Sequence, residues 1–174
     1  MNESERSTRW MIEEMQSRGE TLSVAESCTG GGLSRLVTRV SGASAAFVGG
    51  VVAYAPRLKT SLLCVDERLT GVEEIVSCAT AQAMACGVSA RLGSTWGVGT
   101  TGFAGPSGGS SRYGVGTVCV AIFSKKHGVF SSRALHVEGA REDVMTIGAV
   151  GALKMLLTEM SFAYEKVDRN VFKL

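Results

Sequence analysis

The placement of its glycines constrains this chain more than any other feature. There are 22 in 174 residues, well above the usual share of about 7%. They gather at Gly30–Gly32, Gly49-Gly50 and within Gly102–Gly116. Two of these clusters follow an apolar stretch and precede a loop or helix. In an open α/β sheet, ligands bind in the crevice outside the carboxyl ends of the strands. The glycine map therefore points to strand ends that approach a ligand closely.

The segments between the glycines alternate in type. Trp10, Met11 and Met15 indicate an opening helix closed by Gly19. Thr21–Glu26 reads as a short strand. Leu33, Leu36, Val37 and Val40 recur at helical spacing and predict a helix ending near Ser41-Gly42. "AFVGGVVAYA" reads as a buried strand, and Pro56 fits the first turn of a helix through Leu63. Residues 77–92 form a largely buried helix with Ser77 as N-cap, and Trp96–Thr101 is another strand. "GFAGPSGGSSRYG" is a loop. Thr117–Ser124 and Val129–Val137, joined at "KKHG", read as an antiparallel hairpin. A last helix runs from Arg141 to about Met160, and 161–174 is a helix or an arm. Alternation of this kind predicts an α/β fold, a three-layer α/β/α sandwich with a mixed central sheet. The length fits a single domain over 1–174.

Charge narrows the partners. Lys and Arg number 18 against 16 Asp and Glu, a net charge of +2. That gives no broad footprint for nucleic acid or an anionic membrane. The runs Phe47–Ala55 and Thr117–Phe123 are shorter than the roughly 20 residues of a membrane-spanning helix. The start "MNESERSTRW" lacks the pattern of a secretory signal, so the expected location is cytoplasmic. Five cysteines without a C-x-x-C pair, and two histidines, make no zinc set. The cysteines read mostly as reduced core thiols.

The stretch "AESCTGGG" (25–32) admits three readings. Ser27 could be a nucleophile at a strand end. The following backbone N–H groups could cradle an oxyanion or phosphate. Thr29 could simply cap a helix. The spacing matches neither the P-loop nor the dinucleotide fingerprint nor the serine elbow. A serine nucleophile needs a base. His127 falls in the hairpin turn and His136 near a strand end, both read as surface or structural. Lys59, in "AYAPRLK", is the better base, because a desolvated lysine loses its proton readily and Ser-Lys pairs are a known variant.

Four motifs, "AESCTGGG" (25–32), "GGVVAYAPRLK" (49–59), "TTGFAGPSGG" (100–109) and "GVGTV" (114–118), resemble the CinA C-terminal domain family, the bacterial nicotinamide mononucleotide deamidases also called PncC. The resemblance runs from about Thr21 to Met160. It implies hydrolysis of the carboxamide of the mononucleotide to nicotinate mononucleotide and ammonia, a salvage step without metal or cofactor. It also implies roles. Ser27 is the nucleophile, Lys59 the base, and Tyr54 orients Lys59 or relays a proton. Backbone donors near Thr29, Gly30 and Gly31, or at Thr101 and Gly102, hold the oxyanion. Gly105, Gly108 and Gly109 cradle phosphate or ribose, and Arg141 partners the substrate phosphate or an acid of a neighbouring subunit. A homo-oligomer is the expected assembly.

The chain also departs from the family pattern. Ala55-Pro56 replaces Ser-Asn after the tyrosine, Ser107 replaces a glycine, Met145 stands where a second arginine is common, and Tyr113-Gly114 precedes "VGTV". Two functional classes follow: a Ser-Lys amidohydrolase, or a nucleotide-binding or partner module that has lost turnover.

Overall fold

The computed structural model describes residues 3–171. Strands β1 (Leu22–Glu26), β2 (Phe47–Val52), β3 (Trp96–Gly102), β4 (Thr117–Ser124) and β5 (Val129–His136) form one sheet. Its order is β2-β1-β3-β4-β5, with β2, β1 and β3 parallel and β4 and β5 antiparallel. Helices α1 (Glu3–Ser17), α2 (Gly32–Thr38), α3 (Pro56–Leu63), α4 (Cys78–Leu92) and α5 (Arg141–Val171) cover both faces. The mixed central sheet of an α/β/α sandwich is thus present.

The period of two along each strand sorts the core. Val24, Val98, Val118, Val120 and Ile122 pack with Met11, Met15, Leu33, Val37, Leu153, Leu156 and Met160, from α1, α2 and α5. The intervening Ala25, Cys119 and Ala121 face the layer that contains Met84, Val88, Ala81 and Ala85 of α4. This second face is built of small residues so that α4 can approach. A Cβ on Gly97 would fall 2.2 Å from the Ala85 carbonyl oxygen, and one on Gly99 2.2 Å from that of Ala81. The glycines within β3 are therefore a helix-docking surface.

Local chemistry fixes the ends of the elements. The Ser77 side chain accepts from the Thr80 N–H at 3.1 Å and caps α4. Pro56 occupies the first turn of α3, and Gly93 closes α4 with φ +66°. Residues 125–128 make the hairpin turn.

Three expectations need correction. Strand β2 lies at the sheet edge, because the crossovers place β1 and β3 between it and the hairpin. Its Val48 and Val52 are consequently about half exposed rather than buried. The last helix does not stop near Met160 but continues to Val171, with Ala163 and Tyr164 buried; residues 172–174 lie outside the described residues. Cys64 is exposed at the end of α3, where its φ is +55°, and Cys78 and Cys86 are half-buried, so only Cys28 and Cys119 are core thiols. By length and composition, Arg141–Lys166 of α5 is apolar enough to cross a membrane, yet its buried stripe packs on the sheet as a core helix.

At the amino ends of β1 and β3, a buried carboxylate ties distant elements together. Glu20 accepts from Trp96 Nε1 at 2.7 Å and from the Tyr164 hydroxyl at 2.9 Å. It pairs with Lys126 at 2.8 Å and bonds His127 Nε2 at 2.7 Å, while the His127 ring stacks on Trp96. His127 is thus a structural residue.

Candidate active site

The site is assembled at the carboxyl ends of the three parallel strands. From β1 the chain crosses to β2 through α2 on one face, and from β2 to β3 through α3 and α4 on the other. That divergence opens a crevice beside β1. The Glu26↔Val52 and Glu26↔Thr100 registers align the strand ends. They continue one step further: Ala53 N–H donates to the Glu26 carbonyl at 2.8 Å, and Ser27 N–H to the Thr100 carbonyl at 3.0 Å. Ser27 is therefore held between β2 and β3 by its own backbone.

Lys59 reaches this point from the second turn of α3. Its side chain is 1% exposed. The ammonium nitrogen donates to Ser27 Oγ at 2.8 Å and to the Ala53 carbonyl at 2.8 Å. No carboxylate compensates its charge among these bonds. Burial consequently lowers its pKa from the usual 10.5 to about 8, against a smaller opposing effect of Cys28. The neutral fraction near pH 7 rises from below about a thousandth to roughly a tenth. The Ala53 carbonyl occupies one N–H of the amine, which leaves the lone pair of the neutral form free to face Ser27.

Cys28 is not a competing nucleophile. Burial pushes its thiol up to about 12, with the Lys59 charge only partly offsetting it. A thiol at that pKa carries almost no thiolate.

The glycine turn after Ser27 differs from expectation. Helix α2 begins at Gly32 rather than near Thr29, because Glu26 reaches forward and gathers its donors. The carboxylate is completely buried. Its Oε2 accepts from Thr29 Oγ1 at 2.7 Å, Gly31 N–H at 3.0 Å and Leu33 N–H at 3.0 Å. Its Oε1 accepts from Ser34 N–H at 2.8 Å and Ser34 Oγ at 2.7 Å. Gly30 N–H is also committed, to the Ser27 carbonyl at 3.1 Å. The N–H groups of Gly30 and Gly31 are therefore not available to an oxyanion or phosphate. Those of Cys28 and Thr29 donate to no backbone carbonyl and to no other residue's side chain among the described residues. Glu26 escapes a sequence reading because a carboxylate at a strand end looks like a solvent-facing terminus; its only signal is a charge closing the apolar "LSVAE".

A cleft of about 240 Å³ opens over Ser27 and Lys59. Cys28, Thr101 and Gly102 line its base, with Ile75, Val76, Phe103 and Pro56 as apolar walls and Tyr54 and Arg141 at the rim. Thr101 Oγ1 donates to the Ile75 carbonyl at 2.8 Å, securing one wall. Gly102 lies so close that a Cβ there would fall 2.8 Å from Cys28 Sγ. Arg141, the first residue of α5, spans the rim by donating to the Gly105 carbonyl at 2.9 Å and to the Tyr54 hydroxyl at 2.7 Å. Among the described residues no hydrogen bond joins Tyr54 to Lys59, so the Ala53 carbonyl is the group that orients the lysine. Gly108 and Gly109 do not line the cleft; Gly108 packs near Phe103, and the loop is pinned where Ser111 bonds Glu73. The Thr29 side chain, bonded to Glu26 and Thr100 Oγ1, lines a different groove between α2 and α5, with Arg35 and Met145.

The family model for the CinA C-terminal domain matches residues 5–160. The chain belongs to the CinA family. A CinA-like protein of Synechocystis sp. is 45% identical over 144 residues, which are 82% of this chain and 34% of that protein. Another, from Synechococcus sp. strain RCC307, is 51% identical over 112 residues, 64% of this chain and 27% of that one. The chain thus spans about a third of the curated CinA-like relatives it matches. Among solved structures, the competence damage-inducible protein A from Klebsiella pneumoniae superposes with a TM-score of 0.85 at 29% identity, covering 92% of this chain and 98% of that one. The competence/damage inducible protein CihA from Agrobacterium tumefaciens gives 0.84 at 31% identity, covering 91% and 96%. These neighbours share the α/β fold over the greater part of this chain.

Proposed function

We propose that the cleft hydrolyses the carboxamide of nicotinamide mononucleotide, using Ser27 as nucleophile and Lys59 as base. The observation that carries this reading is the 2.8 Å contact between the Lys59 amine and Ser27 Oγ, on a lysine whose pKa burial has lowered to about 8. Family membership supports the substrate, since deamidation of this mononucleotide is a CinA-family activity.

Neutral Lys59 accepts the Ser27 proton as Oγ bonds to the carboxamide carbon. In this reading the carboxamide oxygen, now negative, takes the N–H groups of Cys28 and Thr29 as donors, and such donors stabilise a developing charge most in a dry site. The C–N bond breaks as the Lys59 ammonium passes its proton to the departing nitrogen, which leaves as ammonia. Water then attacks the ester carbon as neutral Lys59 takes its proton, and the C–Oγ bond breaks as the lysine passes that proton to Oγ, which restores Ser27 and releases the acid, ionised in water to the carboxylate. The apolar walls Ile75, Val76 and Phe103 suit a flat pyridine ring. Arg141, at the rim, suits the phosphate, for which a guanidinium is a bidentate donor.

The test is ammonia release from nicotinamide mononucleotide by the purified protein and by Ser27→Ala. The reading predicts release by the first alone. Absence of release above the Ser27→Ala background overturns it.

A further inference from the structure

The residue before Ser27 is a carboxylate with no exposed surface and five hydrogen bonds, all to the segment between Thr29 and Ser34. Burying such a charge costs several kcal/mol unless every lone pair finds a donor. A seven-residue helix does not need that arrangement to be capped, because a serine or threonine at the N-cap would serve at little desolvation. Here the N-cap is Gly31, which has no side chain to contribute and adopts φ +98°. The capping function has been moved back to the end of β1.

We propose that Glu26 is a positioning residue for Ser27, its buried side chain fixing the 28–34 segment and thereby the direction of the Cys28 and Thr29 N–H groups relative to Ser27 Oγ; this rests on the Ser27–Lys59 reading above. The backbone of Glu26 is locked into β1 between Val52 and Thr100. Its side chain grips the first turn of α2. One residue thus anchors both ends of the turn that carries the nucleophile. The turn itself is closed by the Gly30 N–H on the Ser27 carbonyl, so Ser27 has little freedom left once Glu26 is in place.

A carboxylate fits the geometry well. It is acceptor-only, with about four lone-pair positions, and here it faces three backbone N–H groups and two hydroxyls. A glutamine of the same shape turns an NH2 towards at least one of those N–H groups. The Glu26 carboxylate also occupies the N–H groups at the helix terminus, so that a substrate anion is not drawn into the turn. This leaves the phosphate to the rim, where Arg141 stands. Glu26 is not among the groups that shift the Lys59 ionisation, so its influence passes through position rather than through the base.

The experiment compares the wild type with Glu26→Gln at a temperature where circular dichroism shows both folded, in two assays. One is ammonia release from the mononucleotide. The other is the rate at which a generic fluorophosphonate labels Ser27, which needs an activated serine but no particular substrate. Displacing a reacting group by about 1 Å costs on the order of 100-fold. The expected result is a fall of that order in kcat and in labelling rate per folded molecule, with KM and the midpoint of the pH–rate profile unmoved. A purely structural role would lower the melting temperature and leave the labelling rate of folded protein intact; labelling and kcat within about threefold of wild type overturn the proposal. If Glu26→Gln does not fold, Ser34→Ala and Thr29→Val each remove one donor from the carboxylate. Each is then expected to slow labelling about fivefold, the equivalent of one ordinary hydrogen bond, and unchanged labelling in both overturns the proposal. A wild type that labels at Ser27 yet releases no ammonia sinks the mononucleotide reading alone, with the Glu26 comparison still decided by labelling. A wild type that fails to label at Ser27 sinks both.

Discussion

Lys59 and Ser27 are 32 positions apart in sequence, yet the lysine amine donates to the serine oxygen at 2.8 Å inside the protein. The contact holds a cation where no carboxylate bonds to it. It ties the chemistry of the site to a local cost in stability.

That cost predicts the behaviour of Lys59→Met. The substitution keeps the volume and removes the buried charge, so it is expected to stabilise the fold at pH 7 by about 1–3 kcal/mol. Ammonia release is expected to vanish. A thermal melt beside the ammonia assay checks both; a lower melting temperature would show that the lysine charge is well compensated.

The same pKa sets a pH dependence of rate. Lys59 acts as a base only when neutral, so kcat/KM is expected to climb with pH and level off above a midpoint near 8. Its linkage to stability has the same direction. Between about 8 and 10.5 the unfolded chain binds the proton that the folded one has lost, so this lysine's penalty is fully present below pH 8 and fades as pH rises to 10.5. Rate profiles and urea melts at pH 7 and 9.5 test the two halves, the second by comparing wild type with Lys59→Met.

Arg141 and Tyr54 separate binding from chemistry. Because the Tyr54 hydroxyl bonds Arg141 and not Lys59, Tyr54→Phe is expected to leave kcat within about threefold and to raise KM modestly, the loss of one hydrogen bond. Arg141→Ala removes the charge itself and is expected to raise KM about 10- to 100-fold, the worth of a charge-assisted pair. Steady-state kinetics decide. A large fall in kcat for Tyr54→Phe would return the tyrosine to the reacting centre.

Glu20 governs acid stability at the other end of the sheet. Burial pushes its pKa up, but hydrogen bonds from Lys126, Trp96, His127 and Tyr164 outweigh it and bring the value from 4.5 to about 2. A depressed carboxylate contributes stability that is complete above about 4.5 and lost as pH falls towards 2. Glu20→Gln is expected to destabilise by about 2–3 kcal/mol at pH 7, as a charged acceptor is lost to several donors. The gap from wild type should narrow below pH 4. Denaturant melts at pH 7, 4 and 3 measure it.

Much of this molecule is legible from sequence because its elements are locally consistent. The Ser77 cap, Pro56 at the start of α3 and the apolar run of β4 announce themselves without tertiary context. Strand order does not. "FVGGVV" is apolar enough for an interior strand, and only the crossovers decide that it pairs on one side. The extension of α5 was equally hidden, since Tyr164 is ordered by Glu20, 144 positions away. In the site, Ser27 and Lys59 stand out through their motifs, whereas spacing alone left three readings of "AESCTGGG". Glu26 settles one of them by occupying the donors of Gly31, Leu33 and Ser34 itself.

The parallel pairing of β1 with β2 and β3 has a consequence for when this chemistry exists at all. Parallel strands join segments far apart in sequence, and such contacts are slow to form. Until they do, the amine of Lys59 is in water, protonated, and remote from Ser27. The proposed reactivity is therefore a property of the docked sheet rather than of the residues, and a nascent or partly unfolded copy of this chain lacks the Ser27–Lys59 contact on which it rests.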